Sequence, residues 1–329
     1  MLNRLAYGAV AILALVTVVA ADAFLADEAS DRSVLGDLLR HGSLIPILFT
    51  LVVLRGVMEF VTILRAAGHK PCGGWAMLSC AVLMLSPWLC AGGILGHNPV
   101  DVEGLHWQVI WLGAAVLGAA LIHVARGVSP NVIADLASTM LIILYLGFLP
   151  SFAIQLRADV DLSDPIAGAW TLLFVLAIVF VSDIAALYSG VALGRHRLAP
   201  SISPGKSIEG FVGGIIGSVL LAVAFWRLAR IIGPEEQPAD TVEWLSALAD
   251  QMTAGIKRLT LSQSVLFGVA ISVASQIGDL FESLLKRGAQ VKDSSRLIPG
   301  MGGVLDVVDG TLFAVPLAWF LLTRFWHVV

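Results

Sequence analysis

The stretch 166–190, IAGAWTLLFVLAIVFVSDIAALYSG, decides the fold, and Asp183 is its only charge. A helix rises 1.5 Å per residue, and a hydrocarbon layer about 30 Å thick needs about 20 apolar residues to cross it. The stretch is long and apolar enough to span. Reading outward finds about nine such segments, roughly 5–25, 43–64, 74–95, 105–125, 132–154, 166–190, 211–233, 262–283 and 308–326. The whole chain agrees: 58% of its 329 residues are hydrophobic and 13% charged, with mean hydropathy +0.89. Soluble domains carry about 25% charged residues, and no soluble fold of this size hides so much apolar surface. A cytosolic enzyme, a disordered chain and a disulfide scaffold are excluded. A membrane β-barrel, with its alternating strands, is disfavoured. The expected fold is all-α, a polytopic membrane protein with about five spans in 1–165 and about four in 166–329, integrated as one domain. The net charge of −4 argues against a nucleic-acid partner. Cys72, Cys80 and Cys90 lack C-x-x-C spacing and read as packing residues.

Loop charge fixes the expected sidedness. Arg4, Arg65, Lys70, Arg126, Arg195, Arg197, Lys206, Lys286, Arg287, Lys292 and Arg296 fall on the N-terminal side. The opposite loops are acidic, as in Asp27, Asp101, Asp159, Glu235 and Asp240. Basic loops stay in the cytoplasm, so the N-terminus is expected inside an inner cell membrane and the C-terminus outside. Ala21, Asp22 and Ala23 imitate a signal-peptide cleavage site, but the apolar run exceeds the roughly 7–15 residues of a signal core. The first span is therefore expected to stay. Within 234–260, Val242, Leu245, Ala249, Met252, Ile256 and Leu259 draw one apolar helical face, expected to lie on the outer membrane surface.

Two cytoplasmic loops are more polar than solubility requires. The segment 278–310 reads GDLFESLLKRGAQVKDSSRLIPGMGGVLDVVDG. Asp279, Glu282, Ser283 and Lys286 share one helical face. A carboxylate near membrane depth is disfavoured by about 3 kcal/mol and calls for a partner or a cation. Asp306 and Asp309 open the last span one turn apart, after Gly300, Gly302 and Gly303, which let backbone approach a ligand closely. One or two carboxylates with phosphate completing the shell describe a magnesium–nucleotide site. Lys286, Arg287, Lys292 and Arg296 would neutralise further phosphate charge. Taken singly, the basic residues also fit ordinary positive-inside anchors, and Asp306 or Asp309 a helix cap.

The segment 183–214 reads DIAALYSGVALGRHRLAPSISPGKSIEGFVGG. Ser203, Pro204 and Lys206 are expected to start a helix whose N-terminus holds phosphate. Gly205, Lys206 and Ser207 do not make a P-loop, because Pro200 stands where its first glycine belongs. Gly210, Gly213, Gly214 and Gly217 form a small-residue packing face. Asp183, charged inside an apolar span, is a second functional candidate.

These residues resemble a family. Ser283 to Asp309 is similar to the signature of phosphatidate cytidylyltransferases (CDP-diacylglycerol synthases), S-x-x-K-R, four residues, K-D, then I-P-G-H-G-G-x-L-D-R-x-D. Ser283, Lys286, Arg287, Lys292, Asp293, Ile298, Pro299, Gly300, Gly302, Gly303, Leu305, Asp306 and Asp309 are in register. The family's D…G…G-K-H-K-L-A-P-x-x-S-P-G-K-T segment is matched by Asp183, Gly190, Gly194, His196, Ala199, Pro200, Ser203, Pro204 and Lys206. The match covers roughly the last 150 residues, with Glu59 as an upstream candidate.

The resemblance implies cytidylyl transfer from CTP to phosphatidate, giving CDP-diacylglycerol and pyrophosphate. It places the metal-binding carboxylates on Asp279 and Asp306, for Mg2+ and, as an open alternative, a second cation. With the residue chemistry it assigns catalysis to Asp279, Asp306, Lys286 and Lys292. Asp183, Ser203, Lys206, Ser283, Arg287, Asp293, Gly302, Gly303 and Asp309 would bind substrate or nucleotide. The expected partners are CTP, phosphatidate, the lipid bilayer and, by kinship, a second copy in a homodimer.

Three positions depart from the pattern: Met301 replaces the histidine, Val307 the arginine, and Leu187 the aromatic residue, with Tyr188 following. A lost charge-assisted bond at a phosphate site is worth about 1.5–3 kcal/mol. Arg296 and His196 are candidates to compensate. Competing readings are a CTP-using enzyme for another lipid, such as a polyprenol kinase or an archaeol-type cytidylyltransferase, and a non-catalytic homologue. A transporter is disfavoured, since no inverted repeat with broken midplane helices is visible.

Overall fold

The structure is a computed structural model that describes residues 2–28, 34–95, 103–159, 167–231, 258–295, 297–298 and 302–327. It is a helical bundle: α1 (Leu2–Glu28), α2 (Val34–Arg40), α3 (Leu44–Ala66), α4 (Gly73–Ala91), α5 (Glu103–Arg126), α6 (Val132–Ile142) and α7 (Leu149–Asp159). A π-helical segment, Ile143–Phe148, joins α6 to α7. Then follow α8 (Ala167–Leu193), a hairpin of β1 (Arg197–Ala199) and β2 (Ser203–Ser207), α9 (Ile208–Ile231), α10 (Leu261–Gly288) and α11 (Leu305–Trp319). Among the described residues eight helices are long and apolar enough to cross a membrane, and Leu13–Ala26 of α1 is a shorter apolar stretch. The chain is a multi-pass membrane protein, close to the expected count. The expected surface helix in 234–260 lies outside the described residues, apart from 258–260.

Small and hydroxylated residues bring α8, α9 and α10 together. A Cβ on Gly217 would lie 2.6 Å from the Ala185 Cβ, and one on Gly268 2.8 Å from the Val219 Cα, so these helices touch backbone to backbone. Ser182 and Ser272 share a hydroxyl contact of 2.7 Å, and Gln276 Nε2 donates to the Phe211 carbonyl at 3.2 Å. Asp183 follows Ser182, and Asp279 lies less than a turn beyond Gln276, so this seam sets both carboxylates. Gly278 and Gly310 do the same between α10 and α11. A Cβ at either would meet the Asp309 carbonyl or the Ser275 hydroxyl within 2.6 Å.

The two ends of the bundle are knotted differently. At one end Asp22 on α1, fully buried, accepts from Arg157 Nε at 3.1 Å and from the backbone N–H groups of Leu44 (2.8 Å) and Ile45 (3.2 Å). At the other end, the close of α3, α8 and α10 meets the start of α9 and α11. Below it, Tyr145 on the π-helical segment packs edge-on against Phe60 and Phe281 (centroids 6.1 and 5.3 Å) and tilts against Phe313 (6.2 Å). This aromatic group forms an apolar floor.

Candidate active site

The charged residues of the two polar loops converge on that second end. Lys286 Nζ sits 2.5 Å from Asp306 Oδ1 and also contacts Glu282, one turn earlier on α10. The other Asp306 oxygen accepts from the Ser294 N–H (3.0 Å), the Ser294 hydroxyl (2.6 Å) and the Gly303 N–H (2.6 Å). Asp306 therefore organises the loop through Oδ2, while Oδ1 takes the Lys286 ammonium. Gly302 has φ +99°, a left-handed conformation, and a side chain there would strike the Asp306 carboxylate. The close approach that glycine permits is to the protein's own carboxylates.

Glu59 completes this half. It is 2% exposed and reaches across from α3. It accepts from the hydroxyls of Ser294 (3.2 Å) and Ser295 (2.7 Å) and from the Leu305 N–H (3.0 Å), with Arg55 one turn away at 3.3 Å. It thereby caps the start of α11, a role that sequence reading offered to Asp306 or Asp309.

The other half holds Asp183, Asp279, Asp309 and Lys206. Lys206 Nζ lies 2.5 Å from Asp279 Oδ2, a contact of charge without aligned hydrogen-bond geometry. Asp279 is 36% exposed while the Lys206 Nζ is itself buried, so the open member of the pair is the carboxylate. Asp183 is surrounded by protein yet accessible, as on a cleft wall, and the Ser275 hydroxyl donates to it at 3.5 Å. Asp309 is buried, accepts from the Gly310 N–H at 2.6 Å, and lies within electrostatic reach of Asp279, Glu282 and Asp183.

Acidic groups thus outnumber the two lysines here, which favours a bound cation. Among the described residues no three His, Cys, Asp or Glu side chains already form a metal cage. The donor set fits a hard cation that takes one or two carboxylates and completes its shell with phosphate oxygens and water. Lysine ammonium groups stand against both Asp279 and Asp306 in the present arrangement.

One local expectation is overturned. Ser203, Pro204 and Lys206 do not start a helix. They form β2, paired antiparallel with β1, and the helix begins at Ile208, where the Ser207 hydroxyl accepts from the Gly210 N–H at 3.1 Å. Pro204 fits because a two-stranded hairpin leaves it at an edge, and the strand extends Lys206 toward Asp279. Glu209 accepts from His196 Nδ1 at 2.6 Å and from the Arg195 N–H at 3.0 Å, which holds the hairpin to α9. Arg287 Nε donates to the Ile202 carbonyl at 3.4 Å, tying the end of α10 to the same hairpin.

The remaining candidates lie further out. Ser283 is half-buried beside Glu282, and Lys292 and Asp293 are exposed on the loop. Gly300, Met301 and Arg296 lie outside the described residues, while Val307 is half-buried. Ser275, Ser294, Glu282 and Tyr145 were not singled out as site residues. A serine or tyrosine in an apolar helix carries little signal alone. Glu282 was visible only through its spacing from Asp279, and Glu59 only as an acid inside a span.

Comparison with known proteins gives the family. Residues 33–325 match the model of the cytidylyltransferase family, and the chain belongs to that family. The phosphatidate cytidylyltransferase of Synechocystis sp. is 28% identical over 296 residues, covering 82% of this chain and 85% of the relative. That of Haemophilus influenzae is 37% identical over 163 residues, half of this chain and 49% of the relative. The uncharacterized protein YnbB of Escherichia coli is 34% identical over 155 residues, 47% of this chain and 43% of the relative. In two of these three matches the chain spans about half the relative's length.

Proposed function

We propose that this protein transfers the cytidylyl group of CTP to phosphatidate, releasing pyrophosphate and forming CDP-diacylglycerol. A phosphatidate oxygen attacks the α-phosphorus of CTP, a new P–O–P linkage forms, and the bond from that phosphorus to the β-phosphate bridge breaks. The attacking phosphate is already anionic, so the protein's task is to bring like charges together in line. The single observation that carries the reading is the paired set Lys206–Asp279 and Lys286–Asp306 at the joined ends of β2, α10 and α11.

Lys206 and Lys286 neutralise phosphate oxygens once they leave their carboxylates. Asp279 and Asp306 would hold Mg2+, with a second cation as an alternative, and that metal would supply charge neutralisation at the triphosphate. Asp183 and Asp309 orient the nucleotide, and Gly302 and Gly303 keep the wall thin. Ser203, Ser283, Arg287, Lys292 and Asp293 ring the mouth and meet the outer phosphates. The acyl chains of phosphatidate stay in the inner leaflet, the site faces the cytoplasm with the N-terminus, and the C-terminus lies outside. Two copies form a homodimer in the bilayer.

Val307, where the family pattern has arginine, favours a second reading in which the acceptor is another lipid phosphate. The test is to supply radiolabelled CTP with phosphatidate, polyprenol and archaeol-type acceptors to membranes bearing the protein. CDP-diacylglycerol with pyrophosphate is expected. Release of CDP with a phosphorylated lipid would indicate a kinase and reject the proposal, as would no turnover with any acceptor.

A further inference from the structure

A second polar feature lies on the opposite half of the same end. The close of α3 and α5 and the start of α4 and α6 surround an open cleft of about 630 Å³. Arg65, His69, Lys70, His123 and Arg126 line it, and Asp135 is the carboxylate in its wall. Asp135 is already engaged, accepting from the Lys70 N–H at 2.7 Å, and Arg126 Nη1 donates to the Lys70 carbonyl at 3.2 Å. The Lys70 backbone is thus held at the rim through both its N–H and its carbonyl.

Two histidines and a helix start border the interior. His69 Nδ1 is a buried atom with no hydrogen-bond partner. His123 is 5% exposed and fixed by contacts to the Ala119 carbonyl (2.9 Å) and Cys72 Sγ (3.6 Å). Asn131 gives the first turn of α6 no side-chain cap, and a helix N-terminus favours an anion. Three permanent cations face one carboxylate around a concavity, whereas ordinary membrane anchors extend singly into the headgroups.

We propose that this cleft binds a phosphate group. The flanking residues favour a phosphate carried by a lipid. Leu121, Val124, Val128 and Ile133 alternate with the lining residues in sequence and are 68%, 77%, 102% and 83% exposed. An amphiphile could seat its phosphate in the cleft and lay its chains along this apolar flank. The cleft shares no lining residue with the carboxylate site, and the inference stands whether or not the proposed function does.

The test uses the purified full-length protein in neutral detergent. Native mass spectrometry would read retention of phosphatidylglycerol against phosphatidylcholine, and titration calorimetry would read inorganic phosphate. Phosphatidylglycerol should be preferred, and Lys70→Gln and Arg126→Gln should each weaken it about fivefold, the worth of one basic residue at an anionic surface. Inorganic phosphate binding with the same losses, and no lipid preference, would support the site with a soluble phosphate as its source. Equal retention of phosphatidylglycerol by wild type and both variants would overturn it. Should Arg126→Gln lower the unfolding temperature, Arg65→Gln at the exposed wall carries the same test.

Discussion

The two ends of the bundle each set acid against base, and they do it differently. At the α1 end, Asp22 and Arg157 are 0% and 2% exposed, and Asp22 also takes two backbone N–H groups. At the other end, Asp279 and Lys206 are 36% and 24% exposed and make charge contact only. A pair sealed from water, its carboxylate held by three donors, is a structural tie. A pair whose carboxylate is open, with further carboxylates around it, can exchange its cation for a ligand. Burial and bond satisfaction, more than the residue types, separate the two roles.

That contrast can be broken at either end. Asp22→Ala removes the acceptor of Arg157 Nε and of two backbone N–H groups, and the expected loss is about 3–5 kcal/mol. Thermal unfolding in detergent should register it, while turnover per folded molecule stays unchanged. A stable variant would dissolve the contrast. Asp279→Asn should do the reverse: turnover falls on the order of 100-fold, as for removal of one electrostatic group from an active site, with little change in unfolding temperature. Glu59→Gln stands between them. It weakens three hydrogen bonds to a carboxylate, about 1.5–3 kcal/mol in all, and should lower both the unfolding temperature and turnover. An effect on stability alone would remove Glu59 from the positioning of the site. Gly268→Ala sharpens the packing side, since the three atoms nearest the new methyl are backbone atoms of Ser218 and Val219. A loss of about 1–3 kcal/mol is expected from overpacking, measured by the same unfolding assay.

Much of this was legible in the sequence. Spans such as 166–190 announce themselves because lipid demands long apolar runs, and Asp183 stood out because a charge there has no solvent to satisfy it. Asp279 and Lys286 were readable from helical spacing. The hairpin at 197–207 was not. Ser203 and Pro204 carry a helix-start pattern, and only the pairing of Arg197 with Ser207 tells that the chain turns back instead. Glu59 escaped full notice because its partners, Ser294, Ser295 and Leu305, are more than 200 residues away in sequence. The cleft beside Arg126 was hidden for another reason: its basic residues look like membrane anchors until the fold curves them around one space.

The central claim is that Asp279 and Asp306 take a divalent cation together with the triphosphate of CTP. The magnesium dependence of pyrophosphate release, compared between the purified wild type and Asp279→Asn, addresses it most directly. A saturable magnesium requirement in the wild type, lost on chelation and shifted to far higher concentration or abolished in the variant, is the predicted result. Superimposable magnesium curves for the two proteins would contradict it.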